Sequence, residues 1–156
     1  MITKGKKVDD FTLADKDGLM HTLYDIQTKY TIVYFYPKDN TPGCTIEAKM
    51  FSDTLSEFKK FGVTVLGISG GDEKSKTKFC EKNELKLILL SDTDFAVATS
   101  LECYGDNRFM GKSFKSIFRN TYLLDKNKTV LRSYEKVKPL SHVKELLSDI
   151  RKLEGK

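Results

Sequence analysis

The sequence predicts an α/β fold in which helices flank a central mixed sheet and a β-hairpin precedes it. Short apolar runs rich in β-branched and aromatic residues alternate with longer segments of helical periodicity, which is the pattern of a layered α/β protein. The chain has 156 residues, 39% of them hydrophobic and 31% charged, which suits one domain with a buried core. We therefore expect a single domain over residues 1–156.

Turns, periodicity and helix-end signals define the individual elements. The turn at 15–18 separates two short strands, and the runs 31–36 and 63–68 are typical of strands buried on both faces. Apolar residues at three- and four-residue steps predict a helix that begins near Cys44 and ends at Gly62. The other predicted elements are a helix at 72–83, a strand at 87–90, a helix at 94–101, strands at 116–124 and 129–134, and a helix at 141–153.

The order of these elements indicates a thioredoxin-like sheet. A hairpin is followed by a βαβα unit, a strand pair and a closing helix, so the middle strands should be parallel and the late pair antiparallel. A doubly wound nucleotide-binding fold is disfavoured, because no glycine-rich phosphate fingerprint follows either early strand.

Charge and hydropathy exclude several classes of function. The net charge is +5, and the excess of lysine and arginine lies in residues 107–156. These basic residues are dispersed among strand and helix signals, so we expect no nucleic-acid partner. No apolar run approaches the roughly 18 residues of a membrane helix, and the N-terminus lacks a secretory signal, which predicts a cytoplasmic protein with no membrane partner.

The three cysteines, Cys44, Cys80 and Cys103, are the main candidates for chemistry. An odd and widely spaced set does not form a disulfide framework. There is no C-x-x-C pair, and His21 and His142 lie far from any cysteine in sequence, so we expect no metal site. We expect both histidines at the surface, and each thiol is either a core residue or a reactive group.

Cys44 has the sequence context of a reactive thiol. It follows Pro42 and Gly43 at the start of a predicted helix, where unpaired N–H groups and the helix dipole favour the thiolate. Thr41 precedes it by three positions, and a hydroxyl can donate to one partner while accepting from another. The alternative is a small apolar core residue, which is disfavoured in a sharp loop between a strand and a helix.

The segment 35–45, Phe-Tyr-Pro-Lys-Asp-Asn-Thr-Pro-Gly-Cys-Thr, resembles the peroxiredoxin signature P-x-x-x-T-x-x-C. Within that family it is similar to the bacterioferritin comigratory, or Q-type, subfamily. The resemblance implies a thiol peroxidase on a thioredoxin fold that reduces hydrogen peroxide and organic hydroperoxides without metal, flavin or haem. It extends over about residues 3–153 and includes the segments 65–69, 89–92, 109–112 and 119–125.

The resemblance also implies roles for individual residues. Cys44 matches the peroxidatic cysteine, Thr41 the hydroxyl that hydrogen-bonds thiolate and peroxide, and Pro37 the proline that shields the pocket from water. Arg119 matches the distant arginine of the active site, whose fork of donors suits a thiolate and a polarising O–O bond. From the sequence alone, an arginine in an apolar strand would be interpreted as a solvent-facing residue.

A second cysteine should resolve the oxidised Cys44. Many members carry one five residues after the peroxidatic cysteine, where this chain has Lys49, and others carry it on a later helix, where this chain has Cys80. The resemblance therefore implies Cys80 as the resolving residue, although it could also be a buried helix cysteine beside Phe79. Cys103 matches no family cysteine, and we interpret it as a core residue.

Resolution should involve local unfolding of the helix at 72–83. That helix has only Phe79 and Cys80 as apolar anchors, whereas the helix of Cys44 has four. We therefore expect the two sulfurs to be apart in the reduced protein and the backbone around Cys80 to open on oxidation.

The resemblance implies a thioredoxin-type or glutaredoxin-type dithiol as reductant, and we expect a monomer. Two other classes of function stay open. One is a thioredoxin-like dithiol oxidoreductase without peroxidase activity, although Thr41 occupies the position where a C-x-x-C motif would begin. The other is a non-enzymatic module that binds through its basic C-terminal third.

Overall fold

The structure, a computed structural model, describes residues 1–155, which form nine strands and four α-helices. The strands are β1 (Thr12–Ala14), β2 (Met20–Thr22), β3 (Tyr30–Phe35), β4 (Val63–Ser69), β5 (Ile88–Ser91), β6 (Tyr104–Phe109), β7 (Lys112–Ile117), β8 (Thr121–Leu124) and β9 (Val130–Tyr134). The helices are α1 (Pro42–Lys60), α2 (Glu73–Asn83), α3 (Ala96–Ser100) and α4 (His142–Leu153).

Seven strands form one mixed sheet in the order β2-β1-β5-β4-β3-β8-β9. The central strands β3, β4 and β5 are parallel, and the pairs β3–β8 and β8–β9 are antiparallel. The hairpin β1–β2 extends the sheet at its other edge through an antiparallel bridge to β5. The mixed sheet and the N-terminal hairpin agree with the sequence prediction.

The sheet separates two hydrophobic cores because side chains alternate between its faces. In β3, Ile32 and Tyr34 face a core formed with α1, α2 and α4, which we call the α1 side. Val33 and Phe35 face the opposite core, which includes α3 and which we call the α3 side. Every residue of β3 is buried, as expected for a central strand with helices on both faces.

The carboxyl end of β3 leads directly into the start of α1. A short loop follows Phe35, and α1 begins at Pro42, which suits the first helical position because its fixed φ is preorganised for a helix. Cys44 therefore lies in the first turn of α1, as the sequence predicted. The apolar face of α1 packs Ala48, Phe51 and Phe58 into the α1-side core and anchors this turn to the sheet.

The prediction of one continuous strand at 116–124 is wrong, because two different strands share this segment. β7 ends at Ile117, β8 begins at Thr121, and residues 118–120 cross between them. The Phe118 N–H bonds the Cys103 carbonyl, and the Asn120 carbonyl accepts from the Phe35 N–H, so each end of the crossing is fixed to a different element. The hairpin β6–β7 was not predicted, because it lies outside the main sheet and its exposed strands lack an apolar face.

The prediction of two surface histidines is wrong for His142. Its ring is buried at the start of α4, where Nε2 lies 2.9 Å from Thr121 Oγ1 and Nδ1 lies 3.0 Å from Glu145 Oε1. The ring also contacts Phe51 and Tyr134 edge to face. His142 thus connects α4 to both β8 and α1. Of its two polar partners, Thr121 lies on a distant strand, so the sequence around His142 does not indicate it.

None of the helices within residues 1–155 combines the length and the apolar character that crossing a bilayer requires.

The burial of His142 should make folding sensitive to acid. Desolvation lowers the pKa of His142 below its ordinary value of 6.5, although Glu145 opposes this shift. The unfolded chain therefore takes up the proton first as the pH falls, and the wild type loses stability below about pH 6.5. Urea unfolding from about pH 5 to 7.5 should show a smaller loss on acidification in His142→Gln. Equal pH dependence in both proteins would contradict this account, and His21→Gln, which removes the half-exposed second histidine, is the matched control.

Candidate active site

The Cys44 sulfur lies in the positive field of a helix N-terminus. Thr41 is the N-cap residue of α1, and the first helical hydrogen bond runs from Thr45 N–H to the Thr41 carbonyl. Cys44 is therefore within the first turn, where backbone N–H groups have no partner inside the helix. The residue is only 1% exposed. A charge that develops on its sulfur is thus stabilised by fixed dipoles more than by bulk water.

Arg119 brings the second positive group to the sulfur. Its Nη2 donates to Cys44 Sγ at 3.4 Å, and its Nη1 donates to Glu47 Oε1 at 3.2 Å. The backbone of Arg119 is held in the β7–β8 crossing, where its carbonyl accepts from the Val137 N–H at 2.9 Å. One planar guanidinium therefore bridges two side chains of α1 from a distant part of the chain.

Gly43 makes room for this bridge. A Cβ at that position would lie 3.1 Å from Arg119 Nη2, closer than ordinary van der Waals contact. Glycine at the position before Cys44 thus lets the guanidinium approach the first turn of α1 closely.

Glu47 is a site residue that the sequence analysis missed. It is fully buried one turn after Cys44, and its Oε2 has no hydrogen-bond partner within residues 1–155. Burial raises the pKa of Glu47 from 4.5 to about 7, although Arg119 opposes the shift. No local pattern in the sequence marks Glu47, because a glutamate in a helix is ordinarily solvated.

Tyr34 adds a second unpartnered polar atom on the α1 side. Its ring stacks on Phe51 with centroids 4.4 Å apart, and its buried hydroxyl has no partner within residues 1–155. Burial and the nearby Glu47, Cys44 and Cys80 side chains raise the pKa of Tyr34 well above 10, so its hydroxyl stays protonated. The site thus contains one free donor and one free acceptor near the thiols.

Thr41 and Pro37 border the site without touching the sulfur. The Thr41 hydroxyl donates to the Lys38 carbonyl at 3.0 Å. Pro37 is exposed and lines an open cavity of about 600 Å³ that Arg119 also lines. Phe118 and Val137 contribute apolar surface to the same cavity. A small molecule in this space would reach the guanidinium from the solvent side.

The three cysteines are free thiols, and the sheet divides them. Cys44 and Cys80 belong to the core on the α1 side, whereas Cys103 belongs to the core on the α3 side. Cys80 is 4% exposed on α2, and burial raises its pKa. Cys103 is fully buried with its sulfur 3.3 Å from the Leu101 carbonyl, and burial raises its pKa to about 12.

Within residues 1–155, no three or more side chains of histidine, cysteine, aspartate or glutamate are grouped so that they could hold a metal ion. The groups that the structure brings together at the site are the Cys44 thiol, the Arg119 guanidinium and the Glu47 carboxyl.

The buried Glu47 carboxyl should give stability a distinctive pH dependence. Its pKa is higher in the folded protein than in the unfolded chain, so the native state binds the extra proton and loses stability as the pH rises from about 4.5 to 7. Glu47→Gln removes this loss, which is on the order of 3 kcal/mol at its upper limit. Denaturant unfolding at about pH 4 and about pH 8, which flank this range, should therefore show the variant gaining stability relative to the wild type as the pH rises. Glu57→Gln, on the exposed face of α1, should give no such gain.

Comparison with known proteins identifies the family. Residues 4–133 match the AhpC/TSA family. The chain is 42% identical to a protein of Coxiella burnetii named as a Bcp peroxiredoxin, over 94% of this chain and 97% of that one. It is 39% identical to peroxiredoxin Bcp of Escherichia coli, with 85% of each chain covered.

Solved structures agree. Peroxiredoxin Q of Xanthomonas campestris superposes with a TM-score of 0.85 at 34% identity, covering 90% of this chain and 89% of that one. Two further structures of that protein carry cysteine-to-serine mutations, and the two mutated positions are as far apart in sequence as Cys44 and Cys80. The thioredoxin-like fold predicted from the sequence is thereby confirmed. The chain belongs to the AhpC/TSA family, in its Bcp or peroxiredoxin Q branch, and is a peroxiredoxin, an enzyme that reduces peroxides with a thiol.

Proposed function

We propose that Cys44 is the peroxidatic cysteine of a two-cysteine cycle that reduces hydrogen peroxide and organic hydroperoxides, and that Cys80 resolves it. The observation that carries this proposal is the contact of Arg119 Nη2 with a buried sulfur in the first turn of a helix. Two independent sources of positive potential converge on one thiol, whereas within residues 1–155 neither Cys80 nor Cys103 accepts a hydrogen bond from a cationic side chain.

In the first step the Cys44 thiolate attacks one peroxide oxygen and the O–O bond breaks. The sulfur is oxidised to a sulfenic acid, and the other oxygen leaves as water or an alcohol after it takes up a proton. Negative charge moves from the sulfur to the leaving oxygen during this step, and the Arg119 fork, which donates to the sulfur, can stabilise that charge as it moves. The Thr41 hydroxyl would turn from the Lys38 carbonyl to hydrogen-bond the peroxide.

Two observations on the proteins' architecture support Cys80 as the resolving cysteine. It shares the α1-side core with Cys44, while the sheet lies between Cys44 and Cys103. In the resolution step the Cys80 sulfur attacks the sulfenic sulfur of Cys44 and an S–S bond forms. The sulfenic hydroxyl leaves as water after it takes up the proton that the Cys80 thiol loses. The spacing of the two cysteines mutated in the Xanthomonas protein is consistent with the same pair.

In this cycle we expect the α2 backbone to move so that Cys80 can bond Cys44. The two thiols are unbonded in this structure, and a disulfide holds its sulfurs about 2.05 Å apart. Burial raises the pKa of Cys80, so the closed helix also keeps this thiol protonated and weakly nucleophilic. Opening α2 to solvent removes both obstacles, because the Cys80 sulfur can then move toward Cys44 and its thiolate becomes hydrated.

A dithiol reductant of the thioredoxin or glutaredoxin type would return the disulfide to two thiols by exchange. Such reductants keep the thiols of cytoplasmic proteins reduced, and three free cysteines would persist in that environment. We therefore propose that the protein is cytoplasmic. We also propose that the chain works as a single-domain monomer without a nucleic-acid or membrane partner.

Cysteine variants test the cycle. Cys44→Ser should abolish peroxide consumption because a serine hydroxyl stays protonated near neutral pH. Cys80→Ser should consume one equivalent of peroxide and then stop with a thioredoxin system, whereas Cys103→Ser should turn over normally. Peptide mapping after one equivalent of peroxide should find Cys44 bonded to Cys80. A Cys44–Cys103 bond, or sustained thioredoxin-dependent turnover in Cys80→Ser, would show that the resolving residue is another one.

Arg119 should accelerate the reaction of a thiol that is already ionised. Arg119→Ala should slow the oxidation of Cys44 by about 100-fold, because a preorganised donor to the developing charge is lost. The deficit should persist at a pH that fully ionises an ordinary thiol, measured by competition for peroxide against a reference peroxidase. Arg108→Ala, on the exposed β6–β7 hairpin, should react like the wild type. Full recovery of the Arg119→Ala rate at high pH would reduce the arginine to an aid to ionisation.

A further inference from the structure

A second buried ion pair lies beside the site, between Asp39 and Lys76. The Lys76 Nζ bonds Asp39 Oδ1 and Oδ2 at 3.3 and 3.2 Å and donates to Ser69 Oγ at 2.6 Å. The carboxylate also accepts from the Tyr36 hydroxyl at 2.6 Å and from Ser75 Oγ at 2.7 Å. The Lys76 side chain is 0% exposed and that of Asp39 is 2% exposed. Every polar atom of the pair therefore has a partner away from water.

The pair connects the two parts of the chain that carry the proposed redox cysteines. Asp39 lies in the loop that joins β3 to the first turn of α1, where Cys44 resides. Lys76 lies on α2, one helical turn before Cys80. The pair thus ties the helix of the resolving cysteine to the loop of the peroxidatic cysteine.

The surrounding backbone is shaped around this carboxylate. A Cβ on Gly71 would lie only 2.2 Å from Asp39 Oδ2 and 2.7 Å from Ser75 Oγ. The segment between β4 and α2 therefore needs glycine at this position so that the carboxylate can reach both Ser75 and Lys76. Asp39 therefore contacts the start of α2 through Ser75, in addition to its contact with Lys76.

Stability alone does not account for such a pair. Removing two charges from water costs several kcal/mol, and well-packed apolar residues would stabilise a core equally well. Separating the partners is a different matter, because each would remain in a poorly hydrated place without its counter-ion. A buried pair therefore resists separation more sharply than an apolar contact of the same size.

Disulfide formation would strain this pair directly. In the proposed cycle α2 opens around Cys80, and Lys76 lies one helical turn before Cys80, so an opening that extends by one turn includes Lys76. Lys76 and Ser75 would then withdraw from Asp39 together, and the carboxylate would keep only the Tyr36 and Ser69 hydroxyls. The pair thus opposes the motion that resolution needs.

We propose that Asp39 and Lys76 are positioning residues that hold α2 closed while Cys44 reacts with peroxide, and that their separation sets the rate at which Cys80 forms the disulfide. This inference rests on the proposed Cys44–Cys80 cycle. It adds a specific timing element: peroxide attack is independent of the pair, whereas resolution is limited by it. The slower Cys80 arrives, the longer the sulfenic acid is exposed to a second peroxide, which oxidises it to sulfinic acid.

Three variants separate the effects. Lys76→Met keeps a long side chain without the charge, and the double variant Asp39→Asn with Lys76→Met leaves neither charge unpaired, so it folds even if the single variant does not. Lys78→Met, an exposed lysine two positions along α2, is the matched control. Quenched-flow alkylation and intact mass would give the rates of Cys44 oxidation and of disulfide formation, and the sulfinic product at high peroxide.

The double variant should form the disulfide about ten-fold faster or more than the wild type, with Cys44 oxidation unchanged within a factor of about two. Its sulfinic product should fall in proportion, and amide hydrogens of α2 should exchange faster while those of the sheet do not. Lys78→Met should match the wild type in every measurement. Unchanged or slower disulfide formation in the double variant, with the Cys44–Cys80 bond still formed, would overturn this inference and leave the proposed cycle intact. Failure of wild-type protein to form that bond would instead refute the cycle.

Discussion

The site depends on one guanidinium that serves two buried acidic groups of the same helix. Arg119 donates to Cys44 through one nitrogen and to Glu47 through another, so the thiol and the carboxyl share a single positive charge. A lysine could not make both contacts with fixed geometry, because an ammonium group is a point charge without a planar fork. Since Glu47 is buried with one oxygen unpartnered and its pKa is raised to about 7, the guanidinium is only partly neutralised near neutral pH. The Cys44 sulfur therefore interacts more strongly with the guanidinium charge than it would if Glu47 were fully ionised and fully hydrogen-bonded.

Two ion pairs involve the segments that carry Cys44 and Cys80, and they differ in what surrounds them. Arg119 is 19% exposed and borders a cavity, so its charge can meet a substrate from solvent. Lys76 and Asp39 are enclosed, and their charged atoms bond each other and three hydroxyls. An accessible cation suits chemistry at the sulfur, whereas an enclosed pair suits control of backbone position. Both ion pairs therefore carry the cost of desolvating charge, but they suit two different tasks.

The sequence predicted the elements whose apolar residues follow a regular period, and it failed where partners come from distant segments. Buried strands and the amphipathic α1 were predicted within a few residues, because local patterns determine them. The β7–β8 crossing at Arg119 and the buried ring of His142 depend on contacts made across the sheet, so no local pattern marks them. The same holds for Glu47 and Lys76, since each occurs among helix positions where a charged residue is ordinarily solvated. Family resemblance identified Arg119, but the carboxyl that shares it emerged only from the geometry.

The sheet separates Cys103 from Cys44 and Cys80, and the sequence alone does not show this separation. In sequence, Cys80 and Cys103 are two candidates that follow Cys44 by 36 and 59 positions. In space, β3 and its neighbours separate Cys103 from Cys44, and no motion short of disrupting that sheet would join them. In the proposed cycle, Cys80 needs the opening of a helix on the same side of the sheet as Cys44, which costs far less than breaking a central strand ladder. The geometry therefore discriminates between two thiols that burial alone does not, because both are shielded from solvent and both have a raised pKa.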